Sequence, residues 1–348
     1  MSISACITSV SGPVLRDDER AFLKEAAPWA VILMGRSCKS RTQVSALTGE
    51  IREALEREAL IFIDQEGGRV ARLKSPEWPR FPAAGVYGDL YERDPEVALE
   101  ACELGHRLIA HELRGIGIDA DCAPVGDLRQ PETHDAIGDR AFGYTEASVV
   151  QLASAALDGL ARGGVAGCIK HMPGQGRSKV DSHHDLPRIE ASLDDLQADF
   201  AIFEALAQKQ TMGMTGHVSY ASIAPDEAAT VSWTVISDII RGRIGFEGLL
   251  MTDDLGMEAL GGTLASRGAK ALSAGCDVLL HCSGFLKEPE AILKEMVEVA
   301  TAAGSLSDAS LERAKLAESM RRTPDRIDTE ASWARFRDLM AQVSEGMS

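Results

Sequence analysis

The chain has 348 residues, 45% of them hydrophobic and 26% charged, with a formal net charge of -17. That length supports one large α/β domain or two ordinary ones, and the composition is that of a soluble globular protein. The negative field repels phosphate backbones and anionic lipid, which argues against nucleic acid or membrane as a general partner but leaves a neutral or zwitterionic ligand open.

The N-terminal segment has no basic region followed by an apolar stretch, and no apolar run approaches the roughly 18 residues of a membrane span. Seven cysteines are scattered along the chain, several inside apolar runs and none in a CxxC pair. Buried free thiols in a reducing compartment, and so a cytoplasmic protein, are expected.

In chain order, eight short apolar runs predict strands: Ala5–Ser11, Ala30–Gly35, Ala59–Asp64, Ile118–Pro124, Val165–Lys170, Thr211–Val218, Leu249–Asp253 and Cys276–Cys282. Most lack polar alternation, as parallel strands covered by helices do. Between them lie amphipathic stretches. Thr42–Glu58 sets Val44, Leu47, Ile51, Ala54 and Leu55 at helical spacing, and Glu96–Leu113 and Glu146–Ala161 are similar. Ser192 opens a capping-box-like start for a helix through about Gln208.

Strand–helix alternation also fits a doubly wound sheet, but the count of eight predicts a (β/α)8 barrel over residues 1–322. Residues 323–348 then form a polar tail, with one docked helix carrying Trp333, Phe336 and Leu339.

Polar residues cluster at the C-terminal ends of the predicted strands: Arg36, Asp64, Asp127, Lys170, His171, His217, Asp253, Asp254 and His281. In a barrel that end carries the active site. Asp64 opens D-Q-E-G-G-R-V-A-R, where Gly67-Gly68 permits a tight turn, Asp64 suits sugar hydroxyls and an arginine fork suits further ligand oxygens. An exposed turn closed by an Asp–Arg pair accounts for the same residues. No GxGxxG or GxxxxGKS occurs, so a dinucleotide or nucleoside-triphosphate role lacks support. Arg140, in I-G-D-R-A-F-G, either points into the site or pairs with Asp139 to hold its loop.

The densest segment is Lys170–Pro187, KHMPGQGRSKVDSHHDLP. Lys170 suits a Schiff-base nucleophile or a hydrogen-bond donor to substrate. Asp181 stands two residues before His183; if they touch, they form a general acid/base unit for neutral pH. A metal site from His171, His183, His184 and Asp185 matches no standard ligand spacing. Thr252-Asp253-Asp254 ends the seventh strand, where a carboxylate suits a covalent nucleophile and one of the two aspartates suits a helix N-cap. Spacing alone does not say which one attacks. A proton-donating loop and a strand-end carboxylate point to cleavage of a glycosidic bond.

These segments resemble glycoside hydrolase family 3, on its branch of NagZ-type β-N-acetylglucosaminidases of bacterial cell-wall recycling. The resemblance runs in order through VILMGR (31–36), DQEGGRVARL (64–73), APVGDL (123–128), IGDRAFG (137–143), the 170–187 segment, MTGHVSY (214–220), GFEGLLMTDDLGM (245–257) and AGCDVLL (274–280). It implies Asp253 as nucleophile, His183 as acid/base coupled to Asp181, and Asp64, Arg72, Arg140, Lys170 and His171 as holders of N-acetylglucosamine.

It also implies a retaining exo-enzyme that releases that sugar from muropeptides bearing 1,6-anhydro-N-acetylmuramic acid. No metal or cofactor and a monomeric state are expected. Gln175 stands where the family more often has histidine, and MTDDLGM replaces the frequent SDDLSM. A β-glucosidase or phosphorylase of the same family, a lysine-dependent barrel aldolase and a sugar-binding protein are the rival expectations.

Overall fold

The computed structural model describes residues 2–180 and 186–345. Each of the eight predicted runs contains strand. They are β1 (Ser4–Ser9), β2 (Pro28–Leu33), β3 (Leu60–Ile63), β4 (Ala120–Asp121), β5 (Ala166–Gly167) and β6 (Ile169–Met172), β7 (Met212–Thr215), β8 (Leu249–Met251) and β9 (Leu279–Leu280). The fifth run is two pieces, because Cys168 leaves the ladder and its N–H bonds Ala123 O at 2.8 Å.

Pairing in the central sheets is parallel throughout, in the order β9-β1-β2-β3-β4-β5 and, separately, β8-β7-β6. Parallel bridges Val125↔Lys170 and Met251↔Val278 join the two sheets at both edges. They carry the bonds Gly126 N–H to Lys170 O, 2.6 Å, and Thr252 N–H to Val278 O, 3.2 Å.

Side chains alternate across these strands, so successive residues enter different cores. One core gathers Ile7, Ala30, Ile32, Leu60, Phe62, Ala120, Cys122, Ala166, Cys168, Met212, Met214, Leu249, Met251, Val278 and Leu280, drawn from both sheets. The other takes the neighbours, such as Val31, Leu33, Ile61, Ile63, Ile169, Leu250 and Leu279, and packs them against the helices. Trp29 and Phe62, with ring centroids 5.9 Å apart, fill the first core with their bulk.

The helices follow their sequence signals closely. Arg41–Leu55, Pro95–Arg114 and Glu146–Arg162 match three predicted stretches. Ser40, Asp94 and Thr145 accept backbone N–H groups at their N-termini, as short oxygen-bearing caps do. The fourth expectation is corrected: the helix runs Gln197–Ala207, not from Ser192. Ser192 Oγ accepts the N–H of Asp195 at 3.2 Å, and the Asp195 carboxylate accepts the N–H of Ser192, also at 3.2 Å. That box closes a single turn on itself and satisfies the donors that would have begun a helix.

At the N-terminal side of the strands, buried carboxylates tie the frame together. Asp119 holds Arg52 and Arg321, each at 3.0 Å, and Asp277 holds Arg241 at 2.8 Å and Arg313 at 2.9 Å. All seven cysteines are free and buried. Among the described residues no helix is long and apolar enough to cross a membrane.

The final helix, Thr329–Glu345, lays Phe336 and Leu339 into the outer core, and Phe81 stacks at 5.4 Å from Trp333. Leu339 is fully buried there. Leu339→Ala is expected to cost about 2–4 kcal/mol, the range for emptying a buried leucine site. A urea-denaturation midpoint equal to that of the wild type would show that the helix contributes no packing.

Candidate active site

The strand ends open into a cavity of about 360 Å³. Its floor and one wall are charged: Asp64, Glu66, Arg72, Arg140, Lys170 and His171. Asp253 and Asp254 also line it, with Met34, Met257, Leu280 and Phe285. All the site residues expected from the sequence and lying among the described residues, namely Asp64, Arg72, Arg140, Lys170, His171 and Asp253, therefore meet in one place. Asp181 and His183, with His184 and Asp185, lie outside the described residues.

The charged wall is a chain of alternating sign. Arg72 donates to Asp64 Oδ2 at 2.7 Å. The other oxygen of Asp64 lies 3.3 Å from Lys170 Nζ, which sits 2.6 Å from Glu66 Oε1. Arg140 clamps Glu66 with both prongs of its guanidinium, at 2.9 and 2.8 Å. Its Nη2 lies 3.4 Å from His171 Nε2, while His171 Nδ1 donates to Asp127 Oδ2 at 2.7 Å. Asp127 is buried, and its Oδ1 accepts the N–H of Gln175 at 2.7 Å.

The charge states follow from this order. Burial works against the charge on Lys170, but Glu66 and Asp64 outweigh burial and hold its pKa above the ordinary lysine value. Burial likewise works against an ionised Glu66, yet Arg140 and Lys170 keep it below the usual carboxylate range. Asp64 is lowered in the same way, by Lys170 and Arg72 against burial. A Schiff-base lysine must first lose its proton. The Schiff-base role expected as one option for Lys170 is therefore opposed by its surroundings, which leave it a fixed ammonium donor.

Two local features place these groups. Asp64 and Glu66 flank Gln65 just beyond β3, and alternation sends both carboxylates to the cavity. Gln65 points away, its Oε1 accepting the N–H groups of Arg72 and Leu73, both at 3.0 Å, which folds the Gln65–Gly67 and Val70–Ala71 segments into an antiparallel pair. Gly67 is needed at that turn: its φ is +96°, and a Cβ would sit 2.2 Å from Pro82 O. In the P-G-Q-G segment, a Cβ on Gly176 would meet Leu128 O at 1.9 Å, so the chain passes there only without a side chain.

The loop of Arg140 is held by a different pair from Asp139–Arg140, which was one of the two options for that arginine. Asp139 bonds Arg69 at 2.9 Å and leaves Arg140 to Glu66. The two strand-end aspartates also separate. Among the described residues Asp253 Oδ1 accepts only a main-chain N–H, that of Asp254, at 2.8 Å. Asp254 Oδ1 accepts the N–H of Gly256 at 2.9 Å and of Cys282 at 3.1 Å, and faces His281 Nδ1 at 3.0 Å. Asp254 thus caps an Asx turn, not the helix N-terminus that was one option for this pair. The next α-helix begins at Leu264 and is capped by Thr263.

Besides Asp127, three strand-end residues do not line the cavity. Arg36 is committed to the carbonyls of Val10, Cys282 and Ser283 and to Ser9 Oγ. His217 lies buried between Thr230 Oγ1, at 2.7 Å, and Asp254 O, at 3.1 Å, and burial lowers its pKa. His281 bridges two carboxylates.

Sequence reasoning did not assign a role to Glu66, the anion at the middle of the chain. The i, i+2 spacing of Asp64 and Glu66 after a strand was the available signal. Asp127 was placed only as a strand-end residue. Among the described residues no cluster of side chains could hold a metal ion.

Known proteins are similar to this chain in sequence and in fold. The family model of the glycosyl hydrolase family 3 N-terminal domain matches residues 6–322. A β-hexosaminidase of Bordetella avium (strain 197N) is 36% identical over 281 residues, 80% of this chain and 80% of that one. One from Alkalilimnicola ehrlichii is 38% identical over 296 residues, 84% and 83% of the respective chains. The crystal structure of NagZ from Neisseria gonorrhoeae in complex with N-trifluoroacetyl-D-glucosamine is similar with a TM-score of 0.84 and 30% identity, over 99% of this chain and 98% of that one. A match across 6–322 and agreement in fold over almost every residue make this chain a member of glycoside hydrolase family 3, and hence a glycoside hydrolase, among the β-hexosaminidases.

Proposed function

We propose that the protein is a cytoplasmic, monomeric, retaining exo-β-N-acetylglucosaminidase. It releases N-acetylglucosamine from muropeptides bearing 1,6-anhydro-N-acetylmuramic acid during peptidoglycan recycling. The observation that carries the reading is the charged wall from Arg72 to His171, fixed before substrate arrives and facing a cavity that also exposes Asp253. The cavity volume is at the low end of the roughly 300–1,000 Å³ of small-ligand sites, a size for one sugar ring. The parallel bridges at both sheet edges and the shared inner core support a closed (β/α)8 barrel over residues 1–322, with 323–348 as a docked tail.

In this mechanism Asp64, Arg72, Arg140, Lys170 and His171 grip the hydroxyl and acetamido groups of the sugar to be released. Every donor is already oriented, so little reorganisation accompanies binding. Asp253 attacks C1 as the bond to the leaving oxygen breaks, and that oxygen takes a proton from the imidazolium of His183. The glycosyl ester of Asp253 is then hydrolysed by water, which gives its proton back to His183. Asp181 holds the imidazole and favours its charged form. The ties on Asp254 support giving attack to Asp253: among the described residues Asp254 already serves three donors through one oxygen, whereas Asp253 meets the cavity with one backbone bond.

The reading is tested by hydrolysis of 4-nitrophenyl N-acetyl-β-D-glucosaminide beside the β-D-glucoside, in phosphate-free buffer with EDTA, and of the anhydro-disaccharide. Preference for the N-acetylated sugar, with the β-anomer released first in NMR spectra, is expected. Equal cleavage of the glucoside would move the assignment to a β-glucosidase, and a requirement for phosphate would move it to a phosphorylase.

Asp253→Ala is expected to abolish turnover and covalent trapping by a fluorinated sugar, while Asp254→Ala still permits trapping; the reverse pattern would move the nucleophile to Asp254. Replacing His183 or Asp181 by Ala should slow the natural disaccharide more than an aryl glycoside with a good leaving group. Equal losses on both substrates would remove the acid role. Lys170→Met leaves two buried carboxylates without their shared cation. It should lower stability by about 3–5 kcal/mol, the usual effect of deleting one member of a buried ion pair, read as a fall in denaturation midpoint.

A further inference from the structure

A second titratable cluster lies just beyond the cavity wall, and the reaction outlined above makes no use of it. His281 follows β9 and is fully enclosed. Its Nδ1 lies 3.0 Å from Asp254 Oδ1 and its Nε2 lies 3.0 Å from Glu295 Oε2. With a carboxylate at each nitrogen, both must donate, so the ring is an imidazolium. Ser283 Oγ completes the group by donating to Glu295 Oε2 at 2.6 Å.

The cluster reaches the reacting carboxylate through the main chain. Its imidazolium fixes the Asp254 side chain, together with the N–H groups of Gly256 and Cys282. His217 fixes the Asp254 carbonyl from the other side. The side chain and the carbonyl of Asp254 are thus both held, which limits rotation about the N–Cα and Cα–C bonds on either side of its Cα. Its N–H is aimed at Asp253 Oδ1, at 2.8 Å. Among the described residues this is the one hydrogen bond that orients the Asp253 carboxylate.

Buried ionic groups are seldom the cheapest way to stabilise a core, since apolar residues of equal volume do as well or better. His281 is enclosed between the end of β9 and the Pro289–Ala303 helix that carries Glu295. A charge-paired histidine at that place serves orientation better than packing.

We infer that His281 and Glu295 are positioning residues for glycosidic cleavage: through Asp254 they hold the N–H that aims the carboxylate of Asp253 at the sugar. This rests on the assignment of Asp253 as nucleophile. Neither residue touches substrate. Their loss therefore slows formation of the glycosyl-enzyme bond and spares the binding of the sugar, which depends on the charged wall.

The test uses the full chain and 5-fluoro-N-acetylglucosaminyl fluoride. Its fluorine at C5 slows both steps, and its fluoride leaving group needs little acid assistance. Mass spectrometry of the intact protein follows labelling, peptide mapping locates it, and inhibition by N-acetylglucosamine reports binding. In His281→Leu the labelling rate should fall on the order of 10–100-fold, as small misplacements of a reacting group do. The inhibition constant for N-acetylglucosamine should stay within about twofold of the wild type on the same argument.

Glu295→Gln, at a partly exposed side chain, keeps shape and one acceptor and serves if the histidine variant does not fold. Its labelling should slow about tenfold by the same effect, and Glu295→Asp should restore part of the loss. Unchanged labelling in a folded variant, or labelling and sugar binding lost in parallel, would overturn the inference while leaving Asp253 as nucleophile. A wild-type label on any other residue would sink the parent assignment and this one with it.

Discussion

The site depends on one buried ammonium. Lys170 Nζ lies between Glu66 and Asp64, and with Arg140 and Arg72 it keeps both carboxylates ionised against their burial. Arg140 and Arg72 then close the two ends, so that three cations and two anions form one line. Taken singly, each of these charges would be costly to bury. Taken together, each is flanked by opposite charge, and the line as a whole is a rigid set of donors and acceptors. A sugar offers hydroxyls, which are both, and such a wall can replace the water around them without rearranging.

That wall is held where it is by an apolar base. The inner core of Ile7, Ile32, Phe62, Met214, Met251 and their neighbours ends directly beneath Asp64, Lys170 and Asp253. The polar ties that stabilise the frame lie at the other end of the strands, where Asp119 and Asp277 gather arginines from distant helices. One end of the sheet therefore carries stability and the other carries chemistry, and the two can vary independently. The same division shows in the histidines. His217 and His281 stand at strand ends like His171, yet each is turned to support the backbone around Asp254.

Much of the fold was legible in the sequence because its signals are local. An apolar run without alternation becomes a buried parallel strand, and Ser40, Asp94 and Thr145 start helices by accepting the nearest free N–H groups. The failure at Ser192 has a local cause too: the same residue types that cap a helix can close a turn, and Asp195 made the turn complete. The candidate site was legible as far as strand ends locate it. Asp64, Lys170, His171 and Asp253 occupy them directly, and Arg72 and Arg140 enter from the loops that follow.

What the sequence by itself determined is the alternation of strands and helices, the end of the sheet that bears the polar residues, and the family. All three follow from patterns within a few residues or from motifs kept in order. What only the tertiary structure decided is the pairing. Glu66 meets Arg140 across 74 positions and Lys170 meets Asp64 across 106. Asp254, not Asp253, is the aspartate anchored by His281, 27 positions on. A charge in a sequence carries no direction. Its partner, and with it the state of ionisation, is fixed only when packing brings distant strand ends into the same low-dielectric space.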